Sequence, residues 1–228
     1  MGSAYFSDSE MVRKLQSLLR VWFSENGIDY PWRSPALSDY QIIVTECLLQ
    51  RTRAETVSKY WATFFEAIPS WEALVAEDRT KLKKLLKPLG LVDRRVSYLI
   101  DLAWEVIEMD ACIPDSADTL RELSGIGQYI SNAICTLLFD QRLPLLDVNF
   151  ARVIERLTGP RRLVDIRHDP KLQYIANKLV DTDDSIIISW AVLDLAKLVC
   201  IKKEPKCHVC PLNKHCLYYS TMQRNYPF

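Results

Sequence analysis

Apolar residues recur at helical spacing along almost the whole chain. In residues 9–26, Met11, Leu15, Leu18, Leu19, Trp22 and Phe23 fall on one face, and Asn26-Gly27 closes the element. Tyr30-Pro31-Trp32-Arg33 reads as an extended link fixed by its proline. A second helix opens with Ser38 or Asp39 as N-cap and runs through DYQIIVTECLLQRT, with Ile42, Ile43, Cys47 and Leu48 on its apolar side. In residues 54–67, Val57, Tyr60, Trp61, Phe64 and Phe65 stand at core spacing. Short helices are predicted at 70–76 and 79–87. A glycine turn at 88–91 then leads into a helix over 92–109. Past the linker Ile113-Pro114-Asp115-Ser116 come a short helix, a second glycine turn and an apolar helix over about 126–139. Helices over 148–157, 170–180 and 185–198 complete the pattern. No stretch carries a convincing strand pattern and no segment repeats, so the chain is expected to be all-α with short loops.

Composition narrows the class. At 228 residues the chain is one large domain or two small, closely associated ones. No apolar run reaches the roughly 18 residues of a membrane span, and the N-terminus lacks a secretion signal, so a cytoplasmic protein without membrane partners is expected. Lys plus Arg and Asp plus Glu balance at 29 each, so any affinity for nucleic acid has to come from local patches. Seven cysteines in a reducing compartment point to metal binding more than to disulfides.

Three stretches carry candidate chemistry. The turn Gly125-Ile126-Gly127, with Gln128 and Tyr129 opening the next helix, has the form of a helix–hairpin–helix that grips a phosphate; taken alone such a glycine pattern is more often an ordinary interhelical turn. Glu46 lies in a largely apolar helix. Facing solvent it is a plain surface residue; lining a cleft it becomes a carboxyl with a raised pKa that works as an acid. Gln50, Arg51, Thr52 and Arg53 follow as polar groups suited to bases or phosphates. Lys81, Lys83, Lys84, Lys87, Arg94 and Arg95 form the densest basic stretch, either a solvated face or a phosphate track. The tail places Cys200, Cys207, Cys210 and Cys216 in a C-x6-C-x2-C-x5-C spacing. Four-cysteine zinc sites also use a C-x2-C knuckle, but zinc ribbons pair two knuckles across a longer loop; one knuckle in a compact tail suits a cubane iron–sulfur cluster. His208 and His215 read as hydrogen-bonding or phosphate-facing groups, and Lys202 and Lys203 as a solvated loop or a face turned to DNA phosphate.

Together, Gly125–Tyr129, an aspartate eighteen residues past Tyr129 (Asp147), and the four-cysteine tail resemble the helix–hairpin–helix DNA glycosylases of the endonuclease III and MutY type over about residues 10–220. The resemblance implies a two-lobed all-α fold with a C-terminal iron–sulfur cluster loop. One lobe is a six-helix barrel at 33–143 carrying the hairpin. The other, from 1–32 and 144–228, holds a [4Fe-4S] cluster on the four cysteines. The target nucleotide is flipped into the cleft between them. Asp147 matches the catalytic aspartate, with Asn149 buttressing it. Tyr129 stands where the bifunctional branch has lysine; it has no amine for a Schiff base, so base removal without efficient strand cleavage is expected. Gly125, Ile126, Gly127, Gln128, Gln50, Arg51, Lys202 and Lys203 are the expected DNA contacts.

Val44–Thr52 is similar both to the MutY segment whose glutamate protonates adenine and to the matching segment of the Mig-type thymine–guanine mismatch glycosylases. The Mig-type branch is favoured by Pro88–Arg95, by Gln50-Arg51 in place of paired glutamines, and by the short stretch after Cys216, which leaves no room for the domain with which MutY enzymes read 8-oxoguanine. The expected activity is excision of mismatched thymine or uracil opposite guanine in base excision repair, by a nucleoid-associated monomer acting on double-stranded DNA with a mismatched or modified base. An adenine glycosylase lacking the 8-oxoguanine-reading domain, a glycosylase for another modified pyrimidine, and a non-enzymatic DNA-binding iron–sulfur protein remain open alternatives.

Overall fold

The computed structural model describes residue 6 and residues 8–225. The helical periodicity becomes helix throughout, and the described residues contain no strand. The α-helices are α1 Ser9–Asn26, α2 Asp39–Leu49, α3 Ala54–Ala67, α4 Trp71–Ala76, α5 Arg79–Leu86, α6 Val92–Glu108, α7 Ala117–Leu120, α8 Gln128–Leu138, α9 Val148–Thr158, α10 Pro170–Val180, α11 Ser185–Leu198 and α12 Leu217–Asn225. Among the described residues no helix is long and apolar enough to cross a membrane.

Side-chain caps explain many of the starts. Ser38 accepts from the Gln41 amide while the Gln41 side chain takes the Ser38 amide, a reciprocal box at α2. The side chains of Asp8, Ser70, Asp78, Ser116, Asp147 and Asp169 accept from first-turn amides at the starts of α1, α4, α5, α7, α9 and α10, without the reciprocal bond. Each such cap is worth about 1 kcal/mol of helix stability.

The chain folds as two compact units. One comprises the residues up to Ile28 and from Asp140 onward; the other is Asp29–Phe139. In the first unit α1 packs on α10 and α11, and α9 on α10, α11 and α12. Leu15, Leu19, Phe150, Ile154, Leu172, Ile175, Ile188 and Val192 fill its core. In the second, α6 lies against α4 and α5, and α8 against α2 and α7. Its interior is built from Ile43, Val44, Leu48, Phe64, Leu74, Leu82, Leu99 and Ile134.

Several details differ from the sequence reading. Of the aromatics on α3, Phe64 and Phe65 are buried, but Tyr60 is exposed and Trp61 half-buried, because the buried stripe is narrower than the aromatic run. α2 stops at Leu49 because Arg51 adopts a left-handed conformation (φ 53°) that ends the helix before the polar residues. α8 starts at Gln128, since Ile126 and Gly127 belong to the turn. Arg95 is neither solvated nor on a phosphate track: it is fully buried.

Candidate functional site

The hairpin turn is held from two sides. Glu105 on α6 accepts the Ser124 amide and hydroxyl, both at 2.7 Å. The Gln50 side-chain amide donates to the Gly125 carbonyl at 2.6 Å. The two glycines do different work. Gly125 has φ +79°, and a Cβ there would stand 2.6 Å from the Tyr98 ring, so both its backbone angle and its packing demand glycine. Gly127 is extended and caps α8; nothing lies within 4 Å of where its Cβ would be. It offers no side chain to accept from the first turn of α8, which leaves an open helix N-terminus with the polarity to receive an anion. Tyr129 sits half-buried in that first turn, and Gln128 beside it is also half-buried.

Glu46 is buried, with 6% of its surface exposed, which overturns the outer-face reading. Its Oε2 has no hydrogen-bond partner among the described residues. Burial pushes the carboxyl up to about 7, opposed by the positive charge of Arg33. Near neutral pH this side chain is therefore a balanced mixture of acid and carboxylate, with one oxygen committed to nothing in the protein. Nothing in the residue pattern marks Arg33 as its electrostatic partner, because the two lie on different elements, thirteen residues apart.

In the other unit, Asp147 is the N-cap of α9. Its Oδ1 accepts the amides of Asn149 (2.8 Å) and Phe150 (2.7 Å). Its Oδ2 accepts from the Asn149 side chain at 2.7 Å. An ordinary cap needs only the first two bonds; the third fixes the second oxygen as well. Asn149 is itself held by Arg152, whose Nη1 donates to Asn149 Oδ1 at 2.9 Å. The remaining Arg152 nitrogens bind the Cys200 carbonyl (2.9 Å) and the Ala196 carbonyl (2.8 Å). One arginine thus ties the Asp147 cap to the first cysteine of the tail. Sequence reasoning missed Arg152 and Arg156, which look like surface charges on α9 until the tail folds over them.

Cys200, Cys207, Cys210 and Cys216 line a single pocket, together with Arg156, Val199, Pro205, Asn213, Tyr218 and Tyr219. Among the described residues, no three His, Cys, Asp or Glu side chains converge tightly enough for one metal ion. A single tetrahedral zinc with bonds of about 2.3 Å would draw its sulfurs to within ~4 Å of one another. Four cysteines on one pocket are a donor set suited to a thiolate-bound metal centre. Arg156 donates to Cys200 Sγ at 3.2 Å and to the Ile201 carbonyl at 2.7 Å, and its guanidinium lies 4.9 Å from the centre of the Tyr218 ring. That places positive charge beside the donor set, as four thiolates require. Burial pushes Cys210 up to about 12 and raises Cys207 and Cys216, so these thiols hold their protons until a metal displaces them. Lys202 and Lys203 are exposed between the first two cysteines, and His208 is exposed as well.

The candidate residues are therefore grouped by unit. Glu46, Gln50, Arg51, the hairpin turn and Tyr129 belong to Asp29–Phe139. Asp147, Asn149 and the four cysteines belong to the unit that continues from Asp140.

Comparison with known proteins follows the same lines. Residues 44–179 match the family described as HhH-GPD superfamily base excision DNA repair protein. The chain is 32% identical to a thymine-DNA glycosylase of Aeropyrum pernix, over 94% of this chain and 98% of that one. It is 32% identical to a thymine/uracil-DNA glycosylase of Pyrobaculum aerophilum, over 92% of this chain and 94% of the other. Among solved structures, a thermostable thymine-DNA glycosylase superposes with a TM-score of 0.85 at 29% identity, covering 92% of this chain and 97% of that one.

Proposed function

The chain belongs to the HhH-GPD superfamily of base excision DNA repair proteins, and from that premise we propose that it is a monofunctional DNA glycosylase that excises thymine or uracil mispaired with guanine. The observation that carries this reading is the nearly end-to-end correspondence, in sequence and in fold, with proteins named thymine- and thymine/uracil-DNA glycosylases. The chemistry of the individual side chains supports it.

A thymine or uracil flipped out of a G mismatch costs less to unstack than a paired base. Gly125, Ile126, Gly127 and Gln128 hold the neighbouring phosphate at the N-terminus of α8, Gln50 and Arg51 face the duplex, and Lys202 and Lys203 add phosphate contacts. Glu46, protonated part of the time and with an uncommitted oxygen, donates to the base edge. Tyr129 forms a wall of the base pocket. As the glycosidic C–N bond breaks, positive charge develops on the sugar, and ionised Asp147 stabilises it. Asp147 then takes a proton from the water whose oxygen bonds to C1′, and the base leaves with the bonding electron pair, neutralised by a proton from Glu46 or from solvent. Asn149 keeps Asp147 oriented. With tyrosine at position 129 no amine attacks C1′, so the abasic strand stays intact.

Cys200, Cys207, Cys210 and Cys216 hold a [4Fe-4S] cluster in this reading. When bound, the cluster supplies a four-thiolate cross-link that shapes the basic tail loop. The lobes of the family fold are assigned to 33–143 and to 1–32 with 144–228.

Single-turnover excision on labelled duplexes tests the proposal. Alkali-dependent cleavage at T·G and U·G supports it. Cleavage at A·8-oxoguanine and A·G alone moves the chain to the adenine branch. Tight binding with no cleavage of any duplex overturns the assignment to mismatched thymine and uracil.

A further inference from the structure

Arg95, on α6, takes no part in the chemistry above, yet it makes five hydrogen bonds from a fully buried position. Nη1 donates to the carbonyls of Cys47 (3.0 Å) and Leu48 (2.7 Å). Nη2 donates to the Gln50 carbonyl (3.1 Å) and the Thr52 hydroxyl (2.9 Å), and Nε to the Gly90 carbonyl (3.3 Å). None of these acceptors is a carboxylate, the usual partner of a buried guanidinium. Its charge lies instead at the C-terminal end of α2, where the last carbonyls have no partner within the helix and the helix dipole is negative.

The acceptors lie on two segments, 47–52 and 89–91, and each segment contains a strained residue. Arg51 (φ 53°) and Leu91 (φ 51°) are both left-handed, both exposed and neither is glycine. Each directly follows a residue whose carbonyl Arg95 holds, Gln50 in one case and Gly90 in the other. Such conformations persist only where the surroundings over-determine them. Thr52 completes the tie, since its hydroxyl also donates to the Leu89 carbonyl at 2.9 Å. One turn along α6, the Tyr98 hydroxyl donates to the Cys47 carbonyl at 2.9 Å, and its ring packs against Gly125 of the hairpin.

We propose that Arg95 is a positioning residue for damage recognition: it locks residues 50–52 and 89–91 in one geometry before DNA arrives, so that Gln50 and Arg51 meet the duplex preorganised. The inference rests on the glycosylase reading above, in which those two residues face DNA. Preorganisation lowers the cost of ordering a recognition segment on binding. It should therefore act on discrimination between mismatched and paired duplexes more than on the bond-breaking step.

The test uses the full chain with Arg95→Lys and Thr52→Val. Lysine keeps the charge at the helix end but replaces the planar fork with one nitrogen, which cannot reach all five acceptors. Thr52→Val removes one acceptor and one donor and leaves the arginine in place. Three quantities are read: affinity for a duplex with one G·T mismatch relative to the same duplex fully paired, the single-turnover excision rate at saturating enzyme, and Tm. The expected result, well below Tm and with an unchanged helical spectrum, is a mismatch-to-paired affinity ratio lowered about tenfold in Arg95→Lys and less in Thr52→Val, equivalent to ~1.4 kcal/mol for the lysine variant. The saturating rate should move far less. A lowered Tm with the affinity ratio unchanged would reduce Arg95 to a helix cap and overturn the proposal. If Arg95→Lys does not fold, Thr52→Val decides by the same ratio. A wild-type protein that shows no preference for the mismatch overturns the underlying glycosylase reading, and this inference with it.

Discussion

Glu46 combines burial, an uncommitted oxygen and a pKa raised to about 7. Its unfolded value is near 4.5, so the folded state holds the extra proton between roughly pH 4.5 and 7. The associated stability is fully present below 4.5 and is lost as pH rises through about 7. Glu46→Gln should therefore gain stability over the wild type in urea unfolding at pH 8, by up to a few kcal/mol on the order expected for a shift of this size, and the gain should vanish near pH 4. If Glu46 is the proton donor, wild-type excision should also decline above about pH 7, and Glu46→Gln should flatten that limb. In the proposed reaction Asp147 has the opposite part, that of stabilising the sugar cation. Asp147→Asn should lower single-turnover excision by about 10²–10⁴-fold, the usual worth of such a group, while affinity for the mismatched duplex is kept. Turnover at a near wild-type rate would remove Asp147 from the chemistry. Tyr129→Lys should introduce strand nicking together with an adduct trappable by borohydride; an un-nicked abasic product with no adduct would mean that position 129 does not face the sugar.

At the scale of elements, the hairpin separates two uses of glycine that look alike in the sequence. Gly125→Ala would force an L-residue into a left-handed conformation and drive its Cβ into the Tyr98 ring, so it should lower stability by about 1–2 kcal/mol or more, read as a drop in Tm. Gly127→Ala has open space and an ordinary φ, and its Tm should stay near that of the wild type. If the α8 N-terminus grips phosphate, Gly127→Ala should still weaken DNA binding, because the added methyl stands where the backbone of the strand would approach. Nearly all helices could be read from the chain, because each buries one stripe and advertises it at 3.6-residue spacing. The ends were less legible. α2 stops three residues early, ahead of the left-handed Arg51, and Arg95 from another helix takes up its last carbonyls. The same cause hides the environment of the site: no local pattern shows that Arg95, Arg152 and Arg156 bind carbonyls of distant segments, which only tertiary contact brings to them. Glu46 and the four cysteines stand out as candidates within single stretches of the chain, and Asp147 through its resemblance to the family's aspartate. The bonds by which Arg152 and Arg156 tie α9 to the tail do not, because they join residues more than forty positions apart.

At the scale of the molecule, Arg152 and Arg156 lash α9 to the tail. Arg152 binds Asn149 and the Cys200 carbonyl, and Arg156 binds Cys200 Sγ and the carbonyls of Ile201 and Lys202. If the four cysteines hold the proposed cluster, Cys210→Ser, or removal of iron by chelation, should abolish its visible absorbance and lower Tm. It should also slow excision more than a remote loop would, because Asn149 and Asp147 lie at the other end of the same connection. Unchanged activity in iron-free protein would show the two to be independent. The sequence reading put the lobe boundaries at 33 and 143; the compact units divide after Ile28 and after Phe139. That arrangement makes one unit an insertion within the other, and it bears on how the protein is made. The apolar face of α1 (Val12, Leu15, Leu19 and Trp22) packs on α10 and α11, which leave the ribosome more than a hundred residues later. At ordinary translation rates that face waits on the order of ten seconds for its partners, while Asp29–Phe139 can already fold. A nascent chain stalled before α10 should therefore bind chaperones through α1, and a circular permutant that joins α1 behind α12 should lose that interval.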